Sequence, residues 1–443
     1  MNHTIAREFH FFSLLKFALP TMIMMVFMSL YTIVDGIFVS RFVGTNALSA
    51  TNIVYPAINL VIGLAVMLAT GGSAEIARKM GEGKLEEAKR NFSLVVLTGV
   101  VLGIIIAVVG LVFISPICYA LGATGQLIGD CRDYLSILLL FAPASILQML
   151  FQTFFVTAGK PMIGLALTIS AGVTNMVFDY IFIVPFGMGV TGAALATAMG
   201  YLIPAVCGVL YCVSHKNALH FSKPKFEIRL LVKSCSNGSS EMVSNVSSAV
   251  ITFLFNIIMI RLLGEDGVAA ITIVLYAQFL LTALYLGFSM GVAPVISYHY
   301  GSDNRDQLRR IFKYCLVFVT TSSLLVYLLA LLSNTTIVGI FSPKGSEVYR
   351  IAVRGFFLFA FTYLFSGTNL YASSMFTAFS NGKVSAAISF LRTFVFIILG
   401  LLALPQLLGV DGVWLAVPIA EFLTVLISVF FFVRYRKQYH YGR

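Results

Sequence analysis

The sequence predicts an all-α integral membrane protein of twelve transmembrane helices arranged as two parallel six-helix repeats. Three observations lead there. The 443-residue chain is 59% hydrophobic and 11% charged, whereas soluble domains carry roughly 25% charged residues. It divides into twelve apolar runs, each long enough to cross a hydrocarbon layer of about 30 Å as a helix, and a barrel would need short alternating segments instead. It also matches itself at an offset of 220 residues. Gly44, Ala50, Gly71, Gly81 and Arg90 fall on Gly264, Ala270, Gly291, Gly301 and Arg310. Pro185, Gly189, Val190, Gly192, Leu195 and Ala196 fall on Pro405, Gly409, Val410, Gly412, Leu415 and Ala416.

In chain order the runs are 14–40, 52–76, 92–115, 134–157, 163–184 and 190–213, then 236–262, 268–299, 312–333, 350–377, 384–404 and 411–433. The first follows a segment with no basic stretch and small-residue cleavage site, so it reads as a span and not as a removable signal. Twelve spans place both termini on one side. The segments on that side hold 22 of the 29 Lys and Arg residues, among them Arg78, Lys79, Lys89 and Arg90, Lys160, Lys216, Arg309 and Arg310, Lys383 and Arg443. By the positive-inside rule that side is cytoplasmic. The net charge of +11 is therefore a topology signal and not a nucleic-acid patch. Residues 1–213 form the first lobe, 214–233 a cytoplasmic linker with a Lys223-Pro224-Lys225 core, and 234–443 the second lobe. An even number of spans per half makes the repeats parallel, with room for a solute path between two rocking halves. The six cysteines form no C-x-x-C pair, so neither a zinc site nor a disulfide framework is indicated.

An ionisable residue inside a bilayer is costly and points to function. Asp35, Asp179, Glu241 and Arg392 stand out. Counted from the outer ends of their spans, Asp35, Asp179 and Thr197 share a depth of roughly 9–10 Å at 1.5 Å per residue. Asn175 and Asp179 are four apart and project from one helix face; Ala193 and Thr197 repeat that spacing, and a Thr hydroxyl can tilt the carbonyl four residues back. Two carboxylates, an amide oxygen, a hydroxyl and a backbone carbonyl form an oxygen-rich set suited to a hard cation. Without one, a proton must separate the two acids. Asp35, Asp179 and Thr197 map to Phe255, Leu399 and Val417 in the second half, so the polarity belongs to one half only. Glu241 fits either an acid at a helix N-terminus or a cavity carboxylate, and Arg392 calls for a structural partner. Gln148, Gln152, Tyr276, Gln278 and Asn369 are candidate cavity-lining residues. Met22, Met24, Met25 and Met28 give the first span an adaptable surface.

These features together resemble the multidrug and toxic compound extrusion (MATE) transporters over essentially the whole chain. The likeness rests on twelve spans in two lobes, Pro20 with Asp35 in the first span, Asn175-x-x-x-Asp179 in the fifth, and Gly-Val-Thr-Gly-Ala-Ala-Leu-Ala-Thr at 189–197. It implies a MATE/MOP-type fold with an N-lobe cation site of the DinF-like and archaeal kind at Asp35, Asn175, Asp179 and Thr197, with the Ala193 carbonyl. The metal at that site would be Na+ if transport is sodium-coupled. Another branch places acids in the seventh and tenth helices; here Glu241 is present and the tenth has none. The resemblance implies secondary efflux of amphipathic organic cations by Na+ or H+ antiport, with Pro20 as a hinge. It implies no cofactor, no catalysis, no nucleic acid and no obligate protein partner, and a monomer in the cytoplasmic membrane. The rival readings are a lipid-linked precursor flippase of the same superfamily, which should line its cavity with basic groups, and an intramembrane enzyme. The enzyme lacks support from any H-E-x-x-H, G-x-S-x-G or phosphate-binding loop.

Overall fold

The computed structural model describes residues 4–215 and 217–442. Lys216 and Arg443, counted above toward the orientation, lie outside the described residues. Among the described residues the regular elements are all helical, and ten helices are long and apolar enough to cross a membrane. One of these, Ile228–Gly301, is 74 residues long and is broken at Gly264, where φ is +64°. It is a hairpin of two spans, because Ser234 on one arm and Tyr298 on the other both meet the second span. Ile128–Leu140 and Ala142–Thr157, bent by 54°, form one further span. Counting the hairpin as two and the bent pair as one gives the twelve expected.

The first six spans are Phe11–Phe42, Thr45–Gly81, Leu85–Val112, the bent pair, Pro161–Ile183 and Gly189–Val213. The other six are 228–263, 265–301, Arg305–Phe341, Glu347–Ala378, Gly382–Leu408 and Val410–Tyr435. Several overrun the apolar runs because helical hydrogen bonding continues past the hydrocarbon into polar turns. Local signals set the ends. The Asn304 and Ser346 side chains each accept a backbone N–H at 3.1 Å from the residue three ahead, Gln307 and Tyr349, and so cap two helix starts.

The repeated glycines fall into two physical classes. Gly44 with Gly264, and Gly189 with Gly409, all have positive φ, a turn conformation open to glycine at no steric cost. Gly71 with Gly291, and Gly81 with Gly301, lie where the halves touch. A Cβ on Gly71 would overlap the Ser234 carbonyl, one on Gly238 the Met67 carbonyl, one on Gly81 that of Tyr298 and one on Gly301 that of Arg78. Gly287 and Gly291 likewise receive the first span at Ala18, Thr21 and Met22. The second span thus meets the seventh and the eighth backbone to backbone, and small residues are what permit such closeness between membrane helices. Lys233 Nζ donates to the buried Glu75 across the same seam at 2.8 Å.

This closed part of the seam lies at the end that carries both chain termini. There, residues 4–9 form a strap across the two halves. Thr4 packs against Gly159 of the first half. The Phe9 N–H donates to Gln307 Oε1 at 3.3 Å, and its ring meets His299 at 6.3 Å between centroids, both in the second half. Ile5 and Phe9 are fully buried. At the other terminus Tyr439 stacks on Phe379 at 4.6 Å and Tyr441 donates to the Phe432 carbonyl at 2.8 Å.

In the second half Trp414, the one tryptophan of the sequence, is fully buried against Gly355, where a Cβ would strike its indole. Gly355→Ala is expected to cost about 1–3 kcal/mol through overpacking. Trp414 emission followed through a thermal melt should show an earlier midpoint, and an unshifted melt would contradict this packing.

Candidate functional site: a carboxylate cluster in the first half

The residues singled out in the first half come together. Asp35 on the first span and Asp179 on the fifth lie within hydrogen-bonding reach of each other through their carboxyl groups. Asn175, one turn before Asp179 on the same face, donates from Nδ2 to Thr197 Oγ1 at 3.4 Å. Thr197 donates in turn to the Ala193 carbonyl at 3.1 Å. The fifth and sixth spans approach this closely because Gly200 faces the Asn175 side chain, where a Cβ would already be 3.4 Å from the Asn175 Cβ.

Three acceptors in this cluster are buried without a partner: Asp35 Oδ1, Asn175 Oδ1 and Asp179 Oδ1. Asp179 is 1% exposed and Asn175 4%. Buried acceptors without donors are expensive, and two carboxyl groups cannot touch as anions in such a place. The group therefore requires a positive charge, either a hard cation on the oxygens or a proton between the acids, and the donor set fits both. The phenols of Tyr31, Tyr134 and Tyr201 lie within electrostatic range of Asp35. Sequence reasoning missed these phenols; three tyrosines in three different spans carry no spacing signal.

The second half holds a centre that was only half legible. Arg392 pairs with Glu421 of the twelfth span, Nη1 to Oε1 3.5 Å. Asn369 donates to Glu421 Oε2 at 2.6 Å and to its carbonyl at 2.8 Å, and Ser428 donates to Asn369 Oδ1 at 2.9 Å. The structural partner expected for Arg392 is thus an acid that the search for intramembrane charges passed over, as it passed over Glu75. Asn369 is fully buried and its amide is committed inside the lobe. Gln152 is similar: it donates to Thr168 Oγ1 at 2.9 Å and ties the fourth span to the fifth. Gln148 is buried with a free Oε1, Gln278 is half-buried and Tyr276 exposed. Met24 is fully buried, in contrast to the half-buried Met25 and Met28. Glu241 is half-buried beside the seam. Pro20 lies inside an unbroken first helix.

Two packed six-helix halves that meet along one seam, with unsatisfied carboxylates buried in one of them, define a helical membrane transporter. The chain belongs to the MatE family, whose model matches residues 20–181 and again 242–402, once in each half. It is similar to the multidrug export protein MepA of Staphylococcus saprophyticus, with 24% identity over 429 residues covering 95% of this chain and 92% of that protein. MepA of Staphylococcus haemolyticus is 25% identical with the same coverage. Among solved structures, MATE in complex with MaL6 superposes with a TM-score of 0.92 at 21% identity, covering 99% of each chain. A multidrug resistance MATE family transporter of the MOP superfamily in its outward-facing conformation gives 0.90 at 23% identity, covering 96% of each chain. The fold expected from the sequence is borne out.

Proposed function

We propose that this protein exports amphipathic organic cations across the cytoplasmic membrane by antiport against Na+ or H+, with the coupling ion bound among Asp35, Asn175, Asp179, Thr197 and the Ala193 carbonyl. The observation that carries the reading is the approach of two carboxyl groups, each with a buried Oδ1 that lacks a donor. Such a site releases its charge requirement only by taking up a cation, so ion binding can be coupled to conformation. Multidrug export as the activity of the relatives supports the substrate class. A flippase is disfavoured because the one deep basic residue, Arg392, is spent on Glu421. With residues 1–213 as one lobe and the other opening at Ile228, where the seventh span begins six residues before the expected start of that lobe at 234, the basic asymmetry supports a cytoplasmic location for both termini. A monomer suffices, since the cluster lies within one chain.

A route from the ion site to the seam runs along the first span. Asp35 is on its outer part, and Pro20, which lacks a ladder hydrogen bond, is followed at once by Thr21 and Met22, which pack on Gly287 and Gly291 of the other half. Bending at Pro20 on cation binding would therefore act directly on the contact that closes the terminal end. Glu241, Gln148, Tyr276 and Gln278 are the side chains best placed to meet a solute.

The test is efflux of a fluorescent organic cation from proteoliposomes under separately imposed sodium and proton gradients. Sodium-driven or proton-driven efflux is expected and identifies the coupling ion. Folded protein that moves no dye under either gradient refutes the proposal.

A further inference from the structure

Among the described residues one ion pair crosses the seam, and its two members are unequal. Glu75 of the second span is 3% exposed, whereas the side chain of Lys233, in the second turn of the seventh, is 45% exposed. Lys233 Nζ donates to Glu75 Oε2 at 2.8 Å. Glu75 Oε1 is buried without a partner, as is the hydroxyl of Ser234, whose carbonyl lies against Gly71 one turn before Glu75. The next cations along the second span are engaged elsewhere, Arg78 with Glu82 at 3.0 Å and Lys79 with Glu87 at 2.8 Å. The counter-charge of Glu75 therefore comes from the opposite half. At the 220-residue offset Glu75 falls on Val295 and Lys233 on Ser13, so the corresponding place in the other repeat is uncharged.

A carboxylate held this far from water needs a positive partner, and withdrawing that partner leaves an uncompensated charge. Alternating access parts the two halves. When the terminal end opens, Lys233 leaves with the second half, and Glu75 stays in the wall of the opening, about 9 Å in from the end of its helix at Gly81. We propose that Glu75 is a docking site for the cationic centre of an incoming solute, and that Lys233 is the tethered cation that occupies it while the terminal end is closed. The solute's charge and the lysine ammonium compete for one carboxylate, so the halves close there only after the solute has moved on. This inference rests on the export reading, with the terminal end as the cytoplasmic mouth. A close unlike charge in a partly hydrated site is worth on the order of tenfold in affinity.

The experiment measures binding of tetraphenylphosphonium, a permanent monocation, to the full-length protein in detergent. Lys233→Gln frees the carboxylate and is expected to bind the probe about tenfold more tightly than wild type. Glu75→Gln is expected to bind about tenfold more weakly than Lys233→Gln. Lys233→Gln/Glu75→Gln should match Glu75→Gln, because the lysine acts only through the carboxylate. A pair that merely holds the halves together predicts the same change in all three, since each breaks it. Lys225→Gln, which removes an exposed charge from the neighbouring linker, should bind as wild type does. Should Glu75→Gln not fold, protection decides: tetraphenylphosphonium is expected to block carbodiimide labelling of Glu75 in Lys233→Gln. Wild-type affinity in folded Lys233→Gln, a double variant that keeps the tight binding, an equal gain in Lys225→Gln, or undiminished labelling each overturns the proposal while export stands. Wild-type protein that binds no probe overturns the export reading and this inference with it.

Discussion

Asp179→Asn is expected to abolish gradient-driven efflux, by a factor of a hundred or more, while leaving the protein folded and no less stable. The two consequences have one cause. In the native chain the Asp35 and Asp179 carboxyl groups lie within hydrogen-bonding reach of each other, and one buried oxygen of each lacks a donor. An amide at 179 offers an N–H to Asp35 and removes one of two charges that must otherwise be neutralised. Satisfying a buried acceptor is worth about 1–3 kcal/mol, so the thermal midpoint should hold or rise. A cation or proton is then no longer needed to close the contact, and its binding no longer drives anything. Asp35→Asn should behave alike. Efflux at the native rate from a folded Asp179→Asn variant would remove the cluster from the mechanism; lost efflux together with lost folding would make it a structural element only.

The second large effect is expected at the seam. Gly71→Ala places a methyl group where the Ser234 carbonyl already is, and Gly238→Ala does the same at Met67. Overpacking of side chains costs about 1–3 kcal/mol, and here the obstacle is backbone, which cannot swing aside. A penalty of that size moves a two-state population by about 5- to 150-fold, away from the arrangement in which the terminal ends are together. Spin labels at Lys160→Cys and Lys383→Cys, both exposed at that end, in a background without native cysteines, should report a longer distance in either variant. Gly129→Ala, with open space around it, is the control and should leave the distance distribution unchanged. Short distances retained in Gly71→Ala would show that the seam does not set the closed state.

Much of this molecule was legible before its structure because the signals are local or periodic. Apolar run length gave the twelve spans. Depth and i,i+4 spacing assembled Asp35, Asn175, Asp179, Ala193 and Thr197, which do converge. What escaped reading depends on partners distant in sequence. Glu421 sits in a uniformly apolar helix, and its counterpart Tyr201 is not acidic, so neither periodicity nor the repeat marks it. The requirement that Arg392 find a counter-ion within its own half would have led to it. Gln152 and Asn369 look identical in the sequence to cavity-lining amides, and only Thr168 and Glu421 reveal that they fasten helices. The repeated glycines announced a duplication, but which of them turn the chain and which touch the other half is a matter of backbone angle and of what lies opposite.

The strap at residues 4–9 bears on how the protein is made. Phe9 and its receptor Gln307 are 298 residues apart in sequence, and at synthesis rates of about 5–20 residues per second the wait between them is roughly 15–60 s. The first six helices enter the bilayer during that interval, and the segment destined to lie across both halves has nothing to grip on the far side. The closing bar is thus set last, by a piece of chain that emerged early, and a nascent protein cannot hold its passage shut until the ninth helix has been threaded.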